Sequence, residues 1–147
     1  VQPAPNPASS SASTSASTID LQQSTLTLEL TGLRNREGVI CFALFNSPDG
    51  FPSNPDRAMR SGCFTIDSLP CELHFENLPF GWYAVAVHHD ENMDGKLNCN
   101  ALGIPKEGIG FSGNPRIWMG APSFQKAAFE FSPDFKQISI TMRYLAP

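Results

Sequence analysis

Residues 81–98 read GWYAVAVHHDENMDGKLN, and the two halves of this stretch obey different rules. In the first half Tyr83, Val85 and Val87 alternate with Trp82, Ala84, Ala86 and His88. That two-residue period is the mark of a strand with two unlike faces, here a mostly buried one. In the second half Asp90, Asn92 and Asp94 recur at every second position, followed by Gly95 and Leu97. This is the spacing of a calcium loop, in which oxygen ligands at positions 1, 3 and 5 converge because the chain winds around the ion. Gly at position 6 permits the bend, the carbonyl of position 7 becomes a ligand, and an apolar position 8 anchors the loop. The expected ligands for a structural Ca²⁺ are therefore Asp90, Asn92, Asp94, the Lys96 carbonyl and Asn98.

The twelfth position of that loop is Ala101, not a bidentate Glu, so a further ligand has to come from elsewhere. Glu107 is the nearest candidate along the chain. With two ligand carboxylates in the loop, the expected affinity is weak and extracellular in type, about 10⁻⁴–10⁻³ M. The competing reading is a metal-free loop in which Asp and Asn side chains cap their own backbone amides. Either way the loop is expected to pin the segment that follows it against the sheet. His88 and His89 are adjacent on the strand and must point to opposite faces, so they are not expected to share one ion. With His74 they read as hydrogen-bonded structural histidines, since no Ser or Cys in a nucleophile context accompanies them.

Working outward, the chain is strand after strand. Leu26, Leu28 and Leu30 alternate with Thr25, Thr27, Glu29 and Thr31, as in a half-buried strand. Residues 39–45 are apolar throughout, as expected of a central strand buried on both faces. Residues 46–62, NSPDGFPSNPDRAMRSG, form a Pro- and Gly-rich loop. Short strands are expected over 63–66 and 72–75 around the turn Asp67-Ser68-Leu69-Pro70, and two more over 127–131 and 137–144. Residues 102–126 show no period, and a structureless loop of that length is packed by its own aromatics (Phe111, Trp118, Phe124) or is functional. Seven short strands, essentially no amphipathic helix and turn-rich connections predict an all-β, antiparallel β-sandwich.

The 147 residues divide into a low-complexity arm over 1–22 and a sandwich domain over 23–147. A hydrophobic content of 41% with 11 Phe suffices for a real core, and a net charge of -4 argues against non-specific nucleic-acid binding. No apolar stretch approaches the roughly 18–20 residues of a membrane span. The chain opens VQPAPNPASSSASTSAST, the look of a mature exported protein after loss of its signal peptide. Four cysteines, none in a CxxC pair, fit an oxidising compartment: secreted, cell-surface or periplasmic. Three pairings are open; the expected one joins Cys63 to Cys71 across the turn near Asp67 and Cys41 to Cys99 just after the ion loop. The arm reads as a flexible linker or O-glycosylated stalk, or as a strand added to a neighbour's sheet edge through Ser11, Ser13, Ser15, Ser17 and Ile19.

The runs LFNSPDGFP, PFGWYAVAVHHDEN and LGIPKEGIGFS, with APSFQKAAFEF downstream, resemble an uncharacterised bacterial secreted family, domain of unknown function 2141. The resemblance covers roughly residues 25–145. It implies an exported β-sandwich of the immunoglobulin or transthyretin-like type, similar to collagen-adhesin B-type surface modules, and no established reaction. This chain has Met93 and Asp94 where family members often carry Gly and Asn, and Asn98 where Asp is common, which removes a charge from the loop. The expected role is non-enzymatic: a subunit of an extracellular or cell-surface assembly, a homo-oligomer joined head to tail through the arm, with O-linked glycans on it. The alternative is a monomeric stalked module that binds a glycan or small ligand, with Trp82, Phe111 and Trp118 as stacking residues.

Overall fold

The computed structural model describes residues 23–95, 105–115 and 121–145. Within them lie eight strands: β1 (Gln23–Thr31), β2 (Val39–Phe45), β3 (Arg60–Thr65), β4 (Cys71–Pro79), β5 (Gly81–Asp90), β6 (Gly108–Phe111), β7 (Phe129–Phe131) and β8 (Gln137–Thr141). One sheet runs β4-β1-β8; the other runs β3-β2-β5-β6, with β7 also paired to β5. Among the described residues helix is confined to a 3-10 turn at Pro55–Arg57 and one turn at Phe124–Ala127. The all-β expectation therefore holds, with two departures. A strand, β6, forms inside the stretch expected to be a loop, and β8 lies parallel to β1 while the other paired strands are antiparallel.

Alternation builds the interior. Leu26, Leu28 and Leu30 of β1 are fully buried, and they meet Ile40 and Leu44 of β2, Val85 and Val87 of β5, Phe131 of β7 and Ile140 of β8 in one core between the sheets. Each such aliphatic side chain contributes about 1.5–3 kcal/mol through removal from water. The intervening Thr27 and Glu29 are only partly buried, as a strand with one wet face requires.

The larger sheet buries its other face too, which explains why β2 and β5 are apolar on both sides. Phe51, from the 46–59 connection, is the hub of this second layer. Its ring centroid lies 5.2 Å from Phe45, 6.2 Å from Phe111 and 5.9 Å from Phe124. Phe111 and Phe124 do pack their segment down, as expected, but Phe111 is buried here at 6% exposure. It has no face left for a ligand to stack on, which corrects its reading as a stacking residue. Ser112, 1% exposed, ties the layer to the sheet: its hydroxyl accepts from the Val85 amide at 2.9 Å and donates to the Ala127 carbonyl at 2.6 Å.

The sheets are stitched together along one side. Ile109 and Arg143 exchange backbone hydrogen bonds at 3.0 and 2.8 Å. Asn114 extends the seam, accepting from the Thr141 amide at 2.9 Å and donating to the Ser139 carbonyl at 3.2 Å. At this crossing a Cβ on Gly110 would lie 2.6 Å from Ile140 Cγ2, so only glycine fits between the strands.

The disulfide pairing differs from the expected one. Cys41 and Cys63 face each other across the antiparallel β2–β3 pair, with Cα atoms 4.0 Å apart, and they form the bond. Cys71 is a buried free thiol. The Cys63–Cys71 hairpin fails because its two strands never pair: the turn near Asp67 carries the chain from β3 in one sheet to β4 in the other. Cys41 is thereby taken, which overturns its pairing with Cys99; Cys99 itself lies outside the described residues. Burial raises the Cys71 thiol pKa, keeping it protonated and unreactive.

Candidate metal centre

The two-residue period of β5 sets the site. Tyr83, Val85, Val87 and His89 turn into the core, so His88 and Asp90 project from the opposite, outer face. Register then brings in the neighbours. His88 pairs with Cys41 of β2 on one side and with Ile109 of β6 on the other. Glu107 immediately precedes β6, two residues from Ile109 and so on that same outer face.

The result is a cluster of His88, Asp90 and Glu107, each offering one ligand atom, all within 4.8 Å of one another. His88 Nε2 lies 3.0 Å from Glu107 Oε1. Asp90 is 2% exposed and Glu107 5%, while the His88 side chain, at 20%, forms the wet side of the cluster. Burying two carboxylates together is costly unless a cation or strong donors face them. Among the described residues, no Lys or Arg forms an ion pair with Asp90.

Backbone donors hold the two acids in place. Asp90 Oδ2 accepts from the Gly95 amide at 2.8 Å and Oδ1 from the Asp94 amide at 3.3 Å. Glu107 Oε2 accepts from the Glu91 amide at 3.0 Å. Gly95 has φ of +75°, the left-handed bend expected at loop position 6. Asn92 Oδ1 also accepts from the Asp94 amide at 3.3 Å, and its amide donates to the Asp94 carboxylate at 3.3 Å. Of the expected calcium ligands, the structure joins Asp90 and Glu107; Asn92 and Asp94 close an Asx-type turn above them. Lys96 and Asn98 lie outside the described residues, as do Trp118 and Ser11, Ser13, Ser15, Ser17 and Ile19.

Around the cluster runs a clamp. Arg34 grips Glu91 with both arms of its guanidinium, Nη2–Oε1 at 2.6 Å and Nε–Oε2 at 3.0 Å, and Asn35 adds a bond of 2.6 Å to Oε2. The same guanidinium donates to the Lys106 carbonyl at 3.2 Å and lies 4.4 Å over the Tyr144 ring. The Arg34 hydrogen bond, against the opposing effect of burial, holds the Glu91 carboxyl below its usual range. Gly38 packs on the backbone of Asp90 and Glu91 so closely that a Cβ would collide with the Asp90 carbonyl.

His89 satisfies the structural reading. It is fully buried, with Nε2 donating to the Glu37 carbonyl at 2.7 Å and Nδ1 facing the Tyr144 hydroxyl at 2.7 Å. A carbonyl oxygen can only accept, which places the proton on Nε2 and leaves Nδ1 to accept from Tyr144. His74 sits beside Thr27 and Glu72 on the partly exposed face of β4. His88 as a partner of Asp90 and Glu107 was missed by sequence reasoning; the signal was its two-residue spacing from Asp90 on one strand face.

These features define an all-β domain of two sheets, with a disulfide across the larger one and a polar cluster at its end. The family described as an uncharacterized protein conserved in bacteria (domain of unknown function 2141) matches residues 28–139, and this chain belongs to it. No curated protein and no solved structure matches the chain. Among the described residues no helix is long and apolar enough to cross a membrane. The Cys41–Cys63 bond is compatible with an extracellular or periplasmic setting.

Proposed function

We propose that this protein is a non-enzymatic, exported structural module: an immunoglobulin- or transthyretin-like sandwich whose loop end is braced by a divalent cation. In this reading it serves as a subunit of an extracellular or cell-surface assembly, joined through the Ser/Thr-rich arm. The observation that carries the reading is the convergence of Asp90 and Glu107, two buried carboxylates, beneath the turn that closes at Gly95. A cation there ties the segment leading into β6 to the end of β5, as the loop spacing leads one to expect.

Two open sheet edges support the arm as connector. Among the described residues β3 and the nine-residue β4 each have a strand on one side only, and such edges accept an added strand. One observation favours the alternative, a stalked binding module: Trp82 is 58% exposed and pairs with Glu130 across the β5–β7 ladder, an aromatic face beside a carboxylate.

The test is to compare the full chain with one lacking residues 1–22, by electron microscopy and sedimentation, each with and without chelator. A structural subunit forms assemblies that the deletion abolishes, and chelator lowers the melting temperature of both chains. Dispersed particles in every condition would remove the assembly reading and put glycan screening of Trp82 variants next.

A further inference from the structure

The proposed brace leaves open which cation it takes, and the outer face of β5 answers differently from the loop spacing. Ca²⁺ selects oxygen ligands, whereas an imidazole nitrogen suits zinc, copper, iron and nickel. We infer that His88 Nε2, one oxygen of Asp90 and one oxygen of Glu107 form a three-ligand site for a borderline transition cation, with Zn²⁺ as its representative. This inference rests on the reading of a cation-braced loop and changes its chemistry.

Three observations carry it. The first is spacing. A tetrahedral ion with bonds of about 2.0–2.1 Å sets its ligand atoms about 3.3 Å apart. The His88–Glu107 edge is already 3.0 Å, and the whole set lies within 4.8 Å, a span that side-chain rotation closes. The cation takes the position between Nε2 and Oε1 that a proton bridges in the present geometry.

The second is preorganisation. Each carboxylate is anchored from behind by backbone amides, Asp90 by Gly95 and Asp94 and Glu107 by Glu91, and Glu91 is itself clamped by Arg34 and Asn35. Outer-shell donors of this kind fix the orientation of metal ligands.

The third is placement. His88 and Asp90 are two residues apart on one rigid strand, and Glu107 stands at the mouth of its hydrogen-bonded neighbour. The partly exposed His88 ring gives a path from solvent. Three protein ligands leave a fourth position for water or for a group from a partner.

Calorimetric titration of the chelator-stripped full chain with Zn²⁺ and, separately, Ca²⁺ tests this, with His88→Gln and Glu107→Gln as variants and His74→Ala as a control for adventitious zinc. Gln at 88 keeps a donor for Glu107 and an oxygen that calcium accepts, but removes the imidazole. We expect one Zn²⁺ per chain, bound more tightly than Ca²⁺, raising the melting temperature. His88→Gln and Glu107→Gln should each weaken Zn²⁺ at least about a hundredfold, while His74→Ala leaves it unchanged. Zn²⁺ binding indifferent to His88→Gln in a folded variant overturns the inference, as does Ca²⁺ binding that is tighter than Zn²⁺. In the latter case the cation-braced loop survives. Binding of neither ion overturns both.

Discussion

His89 turns into the apolar interior between the sheets, and His88, one peptide bond away, turns to the outer face where Glu107 meets it. The inner ring is fully buried and each nitrogen is engaged, so its environment leaves it only a packing role. The outer ring is partly wet and its Nε2 meets a buried carboxylate, the position the inferred cation would take. The same residue type thus takes opposite roles because a strand alternates. More generally, the inner face of β5 is closed by the second sheet, whereas the outer face carries the second apolar layer and, at its end, a polar cluster.

Predictions follow the two faces, beginning with the largest effect. Phe131→Ala, in the inner core, should cost about 3–5 kcal/mol in denaturant unfolding. Phe51→Ala, at the half-buried hub of the outer layer, should cost about half as much and should speed amide exchange mainly within 46–59. Equal costs and global exchange in both would mean that the two layers are one cooperative core.

The histidine pair comes next. Gln reproduces the Nε2 donor of His89 but has no atom at the Nδ1 position, so His89→Gln should cost about 1–3 kcal/mol, because the Tyr144 hydroxyl loses its acceptor while still accepting from the Arg34 amide. His88→Gln keeps a donor for Glu107 and should stay within about 1 kcal/mol of the wild type in the metal-free state. Thermal melts of the two variants side by side check this, at about 2–4 °C per kcal/mol.

The smallest effect concerns the clamp between the faces. Glu91 titrates below its ordinary range in the folded chain because Arg34 hydrogen-bonds its ionised form. The folded state therefore binds fewer protons than the unfolded one around the normal carboxylate pKa. Its contribution is present above about pH 4.3 and is lost as pH falls through the depressed value. Glu91→Gln should flatten that part of the acid stability profile while leaving the neutral-pH fold intact; an unchanged acid slope would show the clamp to be energetically idle.

Much of the fold was legible because alternation is a local signal. The runs around Leu28, Leu44 and Val85 announced their strands, and apolarity on both faces of β2 and β5 announced central positions. β6 was not legible: GIGF is too short and too rich in glycine to show a period, and it becomes a strand because β5 offers it a ladder. The disulfide was misread for a related reason. Proximity along the chain suggested a Cys63–Cys71 hairpin, but the turn between them crosses between sheets.

The sequence by itself determined the two-faced strand of 81–90, the bend at Gly95 and the opposed directions of His88 and His89, since each depends on neighbours a few bonds away. Tertiary structure alone decided that β4 joins β1 rather than β3, that Cys41 meets Cys63, and that Glu107 arrives beside Asp90 and His88. Those contacts join residues from separate strands, and strand order is set by which faces must be covered, a property of the whole core.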